Sequence, residues 1–488
     1  MRLTFEKVTV VYYTYRKLFV PLSNGGGMES NMERNEAFGK TVIRIALPVT
    51  IQSLLQSSFS VIDQVMIGQL GSSSIAGIGL GGKFASLYSV VLAAIASVAG
   101  ITISQYIGKK DKKSVTKSFY TSMALSAGLA VLFIVLCMAF PEIIMAAYTK
   151  DKITKAVAVK YLRILAVSFL PMAVSSIATT MFRCMEAAAL PLYASIFSLV
   201  LNTGLNYLLI FGKWGFPEMG VEGAAVASVA AQVISCGIII VFYTLHKDMP
   251  KLKSGMESHK KGQLSEKELE EQREYRKQYL KILGPIVVCE FLWSLGENVY
   301  TGIYGNIGTD ACAAMTMTIP VQTLIFGALS GLSQASGILI GKSLGAGNYK
   351  AAYGDSKKLM KYGFMASVLL SVLLIAASPF YVKIYNVAPT VQKITTGLLT
   401  VLAILAPIKV LNMILGGGII RSGGKTNYIM WIDIIGTWGF GVPLGLLSAF
   451  LWKLPITYVY FVLSMEECVR LGISFVIFKK KKWMESIK

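Results

Sequence analysis

The chain has 488 residues, 54% of them hydrophobic and only 15% charged, with a mean hydropathy of +0.60 and a formal charge of +21. Soluble domains carry roughly 25% charged residues, so a single water-soluble globule is excluded. The positive charge does not read as nucleic-acid binding either, because Lys and Arg collect in alternate short loops between long apolar runs.

Residues 1–27 lack the long apolar core and small-residue cleavage site of a secretory signal. Met28 follows Asn24-Gly25-Gly26-Gly27, as after a translated ribosome-binding site, and is read as the natural start. Beyond an N-terminal cytoplasmic segment (1–40), apolar runs of spanning length predict helices at 41–67, 76–105, 116–140, 157–181, 188–211 and 222–245. A second set follows at 279–304, 313–340, 359–380, 394–420, 427–451 and 455–478. One bilayer span needs ~20 mostly apolar residues, so the fold class is an all-α membrane protein with twelve transmembrane helices in two pseudo-symmetric six-helix lobes, 41–245 and 279–478. Between the lobes, 246–278 mixes Lys and Glu, including Ser265-Glu266-Lys267-Glu268, and reads as a solvated cytoplasmic linker. Residues 479–488 form a basic cytoplasmic tail.

Orientation follows from the loops. Lys109, Lys110, Lys112, Lys113 and Lys117 fill one, Lys342, Lys350, Lys357, Lys358 and Lys361 its counterpart, whereas 68–75 and 305–312 carry no Lys or Arg. Both termini and the linker are therefore expected in the cytoplasm. The two halves also repeat. A displacement of 237 residues puts Pro48 on Pro285, Gly68 on Gly305, Gly71 on Gly308, Gly100 on Gly337 and Gly108 on Gly345, and a shift of one more brings Arg183 onto Arg421. Parallel repeats place a substrate path between two lobes that rock against each other.

Several motifs carry no chemistry. Gly337-Ile338-Leu339-Ile340-Gly341-Lys342-Ser343 is one residue short of a phosphate-binding loop and ends an apolar helix. Gly416-Gly417-Gly418 and the glycines of 77–82 read as close helix packing or local bending. The six cysteines are scattered singly and the only histidines, His246 and His259, fall at or in one hydrophilic loop, so no metal or catalytic cluster is expected.

Ionisable residues inside spans are more informative, since a charge in hydrocarbon costs at least ~2.5–3.5 kcal/mol and normally faces a cavity or a partner. Gln52, Gln56, Ser60 and Asp63 follow at spacings of four, four and three, on one face of the first helix. Both helix-to-helix glue and a water-lined site fit the glutamines; the acid favours the site. Glu290, Trp293 and Glu297 share a face of the seventh helix, a pattern suited to an organic cation held by acids and an indole face. Lys409 and Asp433 flank the hairpin 421–425 at depths differing by about 4 Å at the helical rise, which predicts a structural ion pair.

Three stretches resemble multidrug and toxic compound extrusion (MATE) transporters of bacterial type: Asn202-Thr203-Gly204-Leu205-Asn206 through Gly223-Ala224-Ala225, Val61-Ile62-Asp63-Gln64, and Glu290-Phe291-Leu292-Trp293. The resemblance spans roughly 38–480. It implies two six-helix lobes and export of organic, often cationic, compounds against inward H⁺ or Na⁺, with no cofactor beyond the coupling ion. Asp63, Asn202, Asn206 and Ser228 then stand where the family has a cation- or proton-coupling network, and Asn206 replaces an Asp found in some members. Gln52, Gln56, Glu290, Trp293 and Glu297 become candidate substrate contacts, and Pro48 matches a helix-bending proline. Where some members carry an acid on the tenth helix, this chain has Val410 beside Lys409. The expected partners are small organic substrates and the lipid bilayer, with no nucleic acid, and the protein is expected to be a monomer in the cell membrane. A lipid-linked sugar flippase of the same superfamily is the nearest rival and would need a basic cavity; a channel and a membrane enzyme rank lower.

Overall fold

Apolar segments in a bilayer have no water to satisfy their backbone, so each must close its hydrogen bonds internally, as a helix does. The computed structural model describes residues 31–246, 249–250, 266–385 and 387–487, and among these it contains helices and no strand. Met28 and part of the linker (251–265) lie outside the described residues. The first lobe consists of α1 (Asn31–Gly68), α2 (Ser72–Gly108), α3 (Lys112–Ala139), the short α4 (Pro141–Ala146), α5 (Lys152–Ala166), α6 (Phe169–Cys184), α7 (Ala189–Phe211) and α8 (Gly220–Leu245). The second consists of α9 (Glu266–Ile307), α10 (Thr309–Gly345), α11 (Tyr349–Lys383), α12 (Pro389–Asn412), α13 (Thr426–Asp433), α14 (Val442–Leu446), α15 (Ile456–Ser464) and α16 (Glu466–Lys479).

Among the described residues ten helical runs are each long and apolar enough to cross a membrane, and α5 with α6, bent by 47° at their junction, makes an eleventh. The sequence reads that span as one helix. Pro171 accounts for the break: it cannot donate to Val167 four residues back, and its ring crowds that carbonyl. Tyr88 secures the bend by donating to the Phe169 carbonyl at 2.6 Å and stacking on the Phe169 ring. The pair α15 and α16, consecutive about Met465, completes twelve spans in two lobes. Pro48 and Pro285 both sit inside unbroken first helices of their lobes.

The wide outer faces are greasy: Leu132, Val135, Leu369, Val372 and Leu373 are all more than half exposed, as lipid-facing residues should be. Small polar residues are instead buried between helices, among them Thr102, Ser118, Ser122 and Ser126. Thr102 and Ser118 share a hydrogen bond across α2 and α3 at 2.5 Å. The α3 start is capped by Asp111, whose carboxylate accepts from Ser114, and that bond holds its pKa below the usual value. The turn glycines of the repeat behave alike, since Gly71 and Gly308 precede α2 and α10 with φ of 89° and 152°.

The lobes meet through the same repeat. A Cβ on Gly108 would lie 2.0 Å from the Lys342 carbonyl oxygen, and one on Gly345 would lie 1.9 Å from that of Gln105. Since Lys342 is the repeat counterpart of Gln105, α2 and α10 cross in a reciprocal, nearly two-fold contact beside the lysine-rich loops. Further along, Thr50 donates to the Ala328 carbonyl at 2.7 Å, Ser53 and Ser330 share a 3.0 Å bond, and Lys342 pairs with Glu186 at 2.5 Å.

Lys479 to Lys482 of the basic tail are exposed, but residues after them are packed into the protein. Trp483 is fully buried and Ile487 5% exposed. The Ile487 amide donates to Gln105 of α2 at 2.6 Å, Gln105 donates to the Ser422 carbonyl at 2.6 Å, and Glu485 pairs with Lys425 at 2.7 Å. Residues 483–487 thus wedge between the lobes on their basic side, behind Gly423, where a Cβ would strike the Trp483 carbonyl.

Replacing Gly345 with Val should force α2 and α10 apart, since overpacking a tight contact costs roughly 1–3 kcal/mol. The expected outcome is a lower thermal midpoint for the purified protein and faster maleimide labelling of Cys184, which is fully buried in the native arrangement; an unchanged midpoint and labelling rate would contradict this account of the crossing.

Candidate functional site

A cavity of about 580 Å³ lies between the lobes, bounded by α1, α2, α6, α7 and α8 on one side and by α10 and the segment after α12 on the other. Its walls alternate small polar residues with aliphatic ones, including Ser97, Ser176, Thr180 and Gln232 beside Ile101, Leu199 and Ile338. Small residues make the space. Gly418 sits in the π-helical stretch Met413–Ile420, and a Cβ there would lie 2.6 Å from the Ser333 carbonyl. The wide turns of that stretch, with three consecutive glycines, let α12 press on α10 and deliver Arg421 at its end into the cavity.

The only charged side chains lining the cavity, among the described residues, are Arg183 and Arg421. Arg183 donates to Gln52 at 2.9 Å and, across the lobe boundary, to Gln334 at 2.5 Å. Gln52 in turn donates to Ser195 at 2.7 Å. Arg421 lies 3.3 Å from Glu290 and donates to Ser97 of the other lobe at 3.2 Å. Gln52 and Gln56 therefore line the cavity as expected, whereas Glu290 is engaged by a cation of the protein itself. Trp293 is 49% exposed and outside the cavity wall, and Glu297 lines a separate small cavity of about 50 Å³ within the second lobe. The cage for an organic cation expected from Glu290, Trp293 and Glu297 is not assembled, because a shared helix face does not place three residues at one depth of one cavity.

Asp63 meets Asn206 directly and Asn202 through it, two of the three residues grouped with it in the sequence. Asn206 of α7 donates to the Asp63 carboxylate at 2.9 Å, and the same amide nitrogen lies 3.4 Å from the Asn202 side-chain oxygen. Gly223 makes this possible by letting α8 press against α7, where a Cβ would lie 2.6 Å from the Leu209 carbonyl, and Gly212 ends α7 in a left-handed turn. The buried Asn206 side-chain oxygen and Thr203 hydroxyl have no protein partner. Ser228, half-buried on α8, makes no hydrogen bond to any of these three residues.

The predicted Lys409–Asp433 pair is not formed. Lys409 lies 3.9 Å from Glu467, and Asp433 lies 3.5 Å from Arg470. Their similar depths misled because both flanking helices turn their polar faces toward α16, which carries the true partners one helical turn apart. Asn412 also donates to Glu467 at 2.8 Å, Tyr300 donates to Glu466, and Arg470 to Thr437. Glu466, Glu467 and Arg470 went unnoticed in the sequence, although acids followed by an arginine within the apolar run 455–478 were the available signal. Arg183 and Arg421 were visible only as a repeat match.

Two six-helix lobes around a polar cavity at membrane depth define a membrane transporter, not an enzyme. The MatE family model matches residues 48–208 and 285–447, more than half of the chain, and the chain belongs to the MatE family. It is 23% identical to a probable multidrug resistance protein NorM of Thermotoga maritima over 91% of this chain and 93% of that one. It is also 23% identical to the uncharacterized transporter YisQ of Bacillus subtilis, over 91% and 95%. Among solved structures, an outward-facing multidrug resistance MATE family transporter of the MOP superfamily matches with a TM-score of 0.81 at 17% identity, over 91% and 96%. A MOP superfamily transporter from Pyrococcus furiosus, whose reversed pocket polarity suggests a different function, matches at 0.78 and 17% over the same shares.

Double-mutant cycles separate the second-lobe pairs. Alanine substitutions at Lys409 with Glu467, and at Asp433 with Arg470, should each show a coupling of about 0.5–3 kcal/mol in thermal or denaturant stability, as residues in contact do. Lys409 with Asp433 should be additive; coupling there and not in the other two cycles would restore the pairing predicted from sequence.

Proposed function

We propose that this chain is a secondary active exporter of organic molecules, including drugs, driven by inward exchange of H⁺ or Na⁺. The observation that carries the reading is the Asp63–Asn206–Asn202 network, a carboxylate held in a membrane span by amides, with unpartnered oxygens beside it. Such a group is tolerated at that depth when it exchanges a proton or coordinates a cation. Occupation of Asp63 from outside changes the charge of α1, and α1 also carries Gln52, Thr50 and Ser53, which reach the cavity and the other lobe. Coupling then needs only that ion and substrate differ in affinity for the two lobe arrangements. The NorM relatives' description as multidrug resistance proteins supports an organic cargo. The lysine-rich loops and both termini are assigned to the cytoplasm by the positive-inside rule, the protein to the cell membrane, and each monomer holds one complete path. The flippase reading gains one specific observation, the two cavity arginines, and is tested with the inference below.

Asp63→Asn should insert and fold normally yet lose gradient-driven efflux of a fluorescent substrate from vesicles, by at least about tenfold if the carboxylate supplies ~1.4 kcal/mol or more of coupling. Imposing pH and Na⁺ gradients separately on the parent chain identifies the ion. Full efflux by the variant would reject the scheme.

A further inference from the structure

Charge accounting in the central cavity points away from a cationic cargo. Among the described residues, two guanidiniums line it and the single carboxylate in contact with either is Glu290, so the wall carries a net positive charge. Arg183 has, among the same residues, only the neutral Gln52 and Gln334 as side-chain partners. Arg421 shares one Glu290 oxygen between both terminal nitrogens at 3.3 and 3.4 Å, leaving a loose ion pair instead of a parallel two-bond fork. The Nε atoms of both arginines are buried without a partner. An uncompensated charge in a membrane interior is costly, and a planar guanidinium with free donors matches carboxylate, sulfonate and phosphate oxygens. The wall also supplies aliphatic surface from Ile101, Leu199 and Ile338, so the occupant is amphipathic.

We propose that the interlobe cavity binds an organic anion, its acidic group held between Arg183 of the first lobe and Arg421 of the second and its apolar body against the aliphatic wall. The assignment rests on the transporter reading of this same cavity and adds the sign of the cargo's charge. The geometry also says why binding senses conformation. The two arginines are repeat counterparts on opposite lobes, so an anion contacts both only while the lobes stand as they do here, and any rocking motion that parts them weakens the site.

The test is equilibrium binding to the full chain in phosphatidylcholine nanodiscs, read by fluorescence polarisation, with carboxyfluorescein as the anion and ethidium as the cation. Carboxyfluorescein should bind at least about tenfold more tightly than ethidium. Arg183→Gln and Arg421→Gln should each weaken it about tenfold, the loss of roughly 1.4 kcal/mol, while leaving ethidium binding no weaker. Tighter binding of ethidium, or unaltered anion binding in both variants, overturns the proposal. Should the variants misfold, competition on the unmodified chain decides: benzoate should displace carboxyfluorescein and benzylammonium should not, and the reverse order refutes the anion site. Arginine-dependent loss of carboxyfluorescein binding in phosphatidylglycerol nanodiscs would support the anion site with a lipid headgroup as its source. Because no gradient is imposed, a chain that binds the anion through its arginines yet moves neither probe in vesicles would sink the transporter reading and leave this site standing.

Discussion

The structure depends on one steric constraint, the backbone-to-backbone crossing of α2 and α10 at Gly108 and Gly345. Either glycine given a side chain would collide with a carbonyl oxygen of the opposite helix. In a membrane, where lipid tails are as apolar as the helices, association relies on such close approach and on polar contacts more than on expulsion of water. The crossing brings the lobes together beside the lysine-rich loops, and the bonds from Thr50, Ser53 and Arg183 to the second lobe follow above it. Beside these contacts small residues such as Ser97, Gly100 and Gly337 line the cavity and leave it its space.

Polar groups divide into three settings within this frame. The Asp63 network is confined to the first lobe, between α1 and α7. The charges of α16 are confined to the second, where Glu466, Glu467 and Arg470 satisfy Tyr300, Lys409, Asn412 and Asp433. Across the boundary lie the two arginine clusters, together with the Lys342–Glu186 pair and the bonds made by Thr50, Ser53 and Gln105. A buried pair whose removal leaves one charge uncompensated is costly to break, so the second-lobe cluster reads as a brace for α12, α13 and α16, whereas the loosely compensated arginines are the groups free to respond to cargo.

Much of the fold was legible in the sequence because membrane spans announce themselves by length and apolarity, and because the repeat at 237 residues keeps one register from Pro48 to Gly108. The candidate coupling site was partly legible: Asp63 stands out as an acid in an apolar run, Asn202 and Asn206 enter only through the family resemblance, and the structure joins all three. What failed were inferences about rotation. Spacing places Glu290 and Glu297 on one helix face and depth places Lys409 near Asp433, but neither fixes which neighbour a helix turns toward. Arg421 captured the first acid and α16 supplied partners for both members of the supposed pair. The bend at Pro171 was missed because a proline near the middle of an apolar run looks the same whether the helix kinks or restarts.

The buried chain end has a mechanical meaning. Trp483 to Ile487 are held by surfaces of both lobes, the Gln105 and Lys109 side chains on one and Phe478 with the Ser422–Lys425 turn on the other. Fixing a residue's backbone costs about 1–2 kcal/mol in entropy, so immobilising this short segment stores several kcal/mol that its contacts must outweigh. When the lobes part on that side the bonds to Gln105 and Lys109 are lost, while the contacts with Phe478 and Lys425, which belong to the same lobe as α16, stay in place. The segment therefore travels with the second lobe as a hook, and its grip on Gln105 and Lys109 is what it adds to the cost of opening.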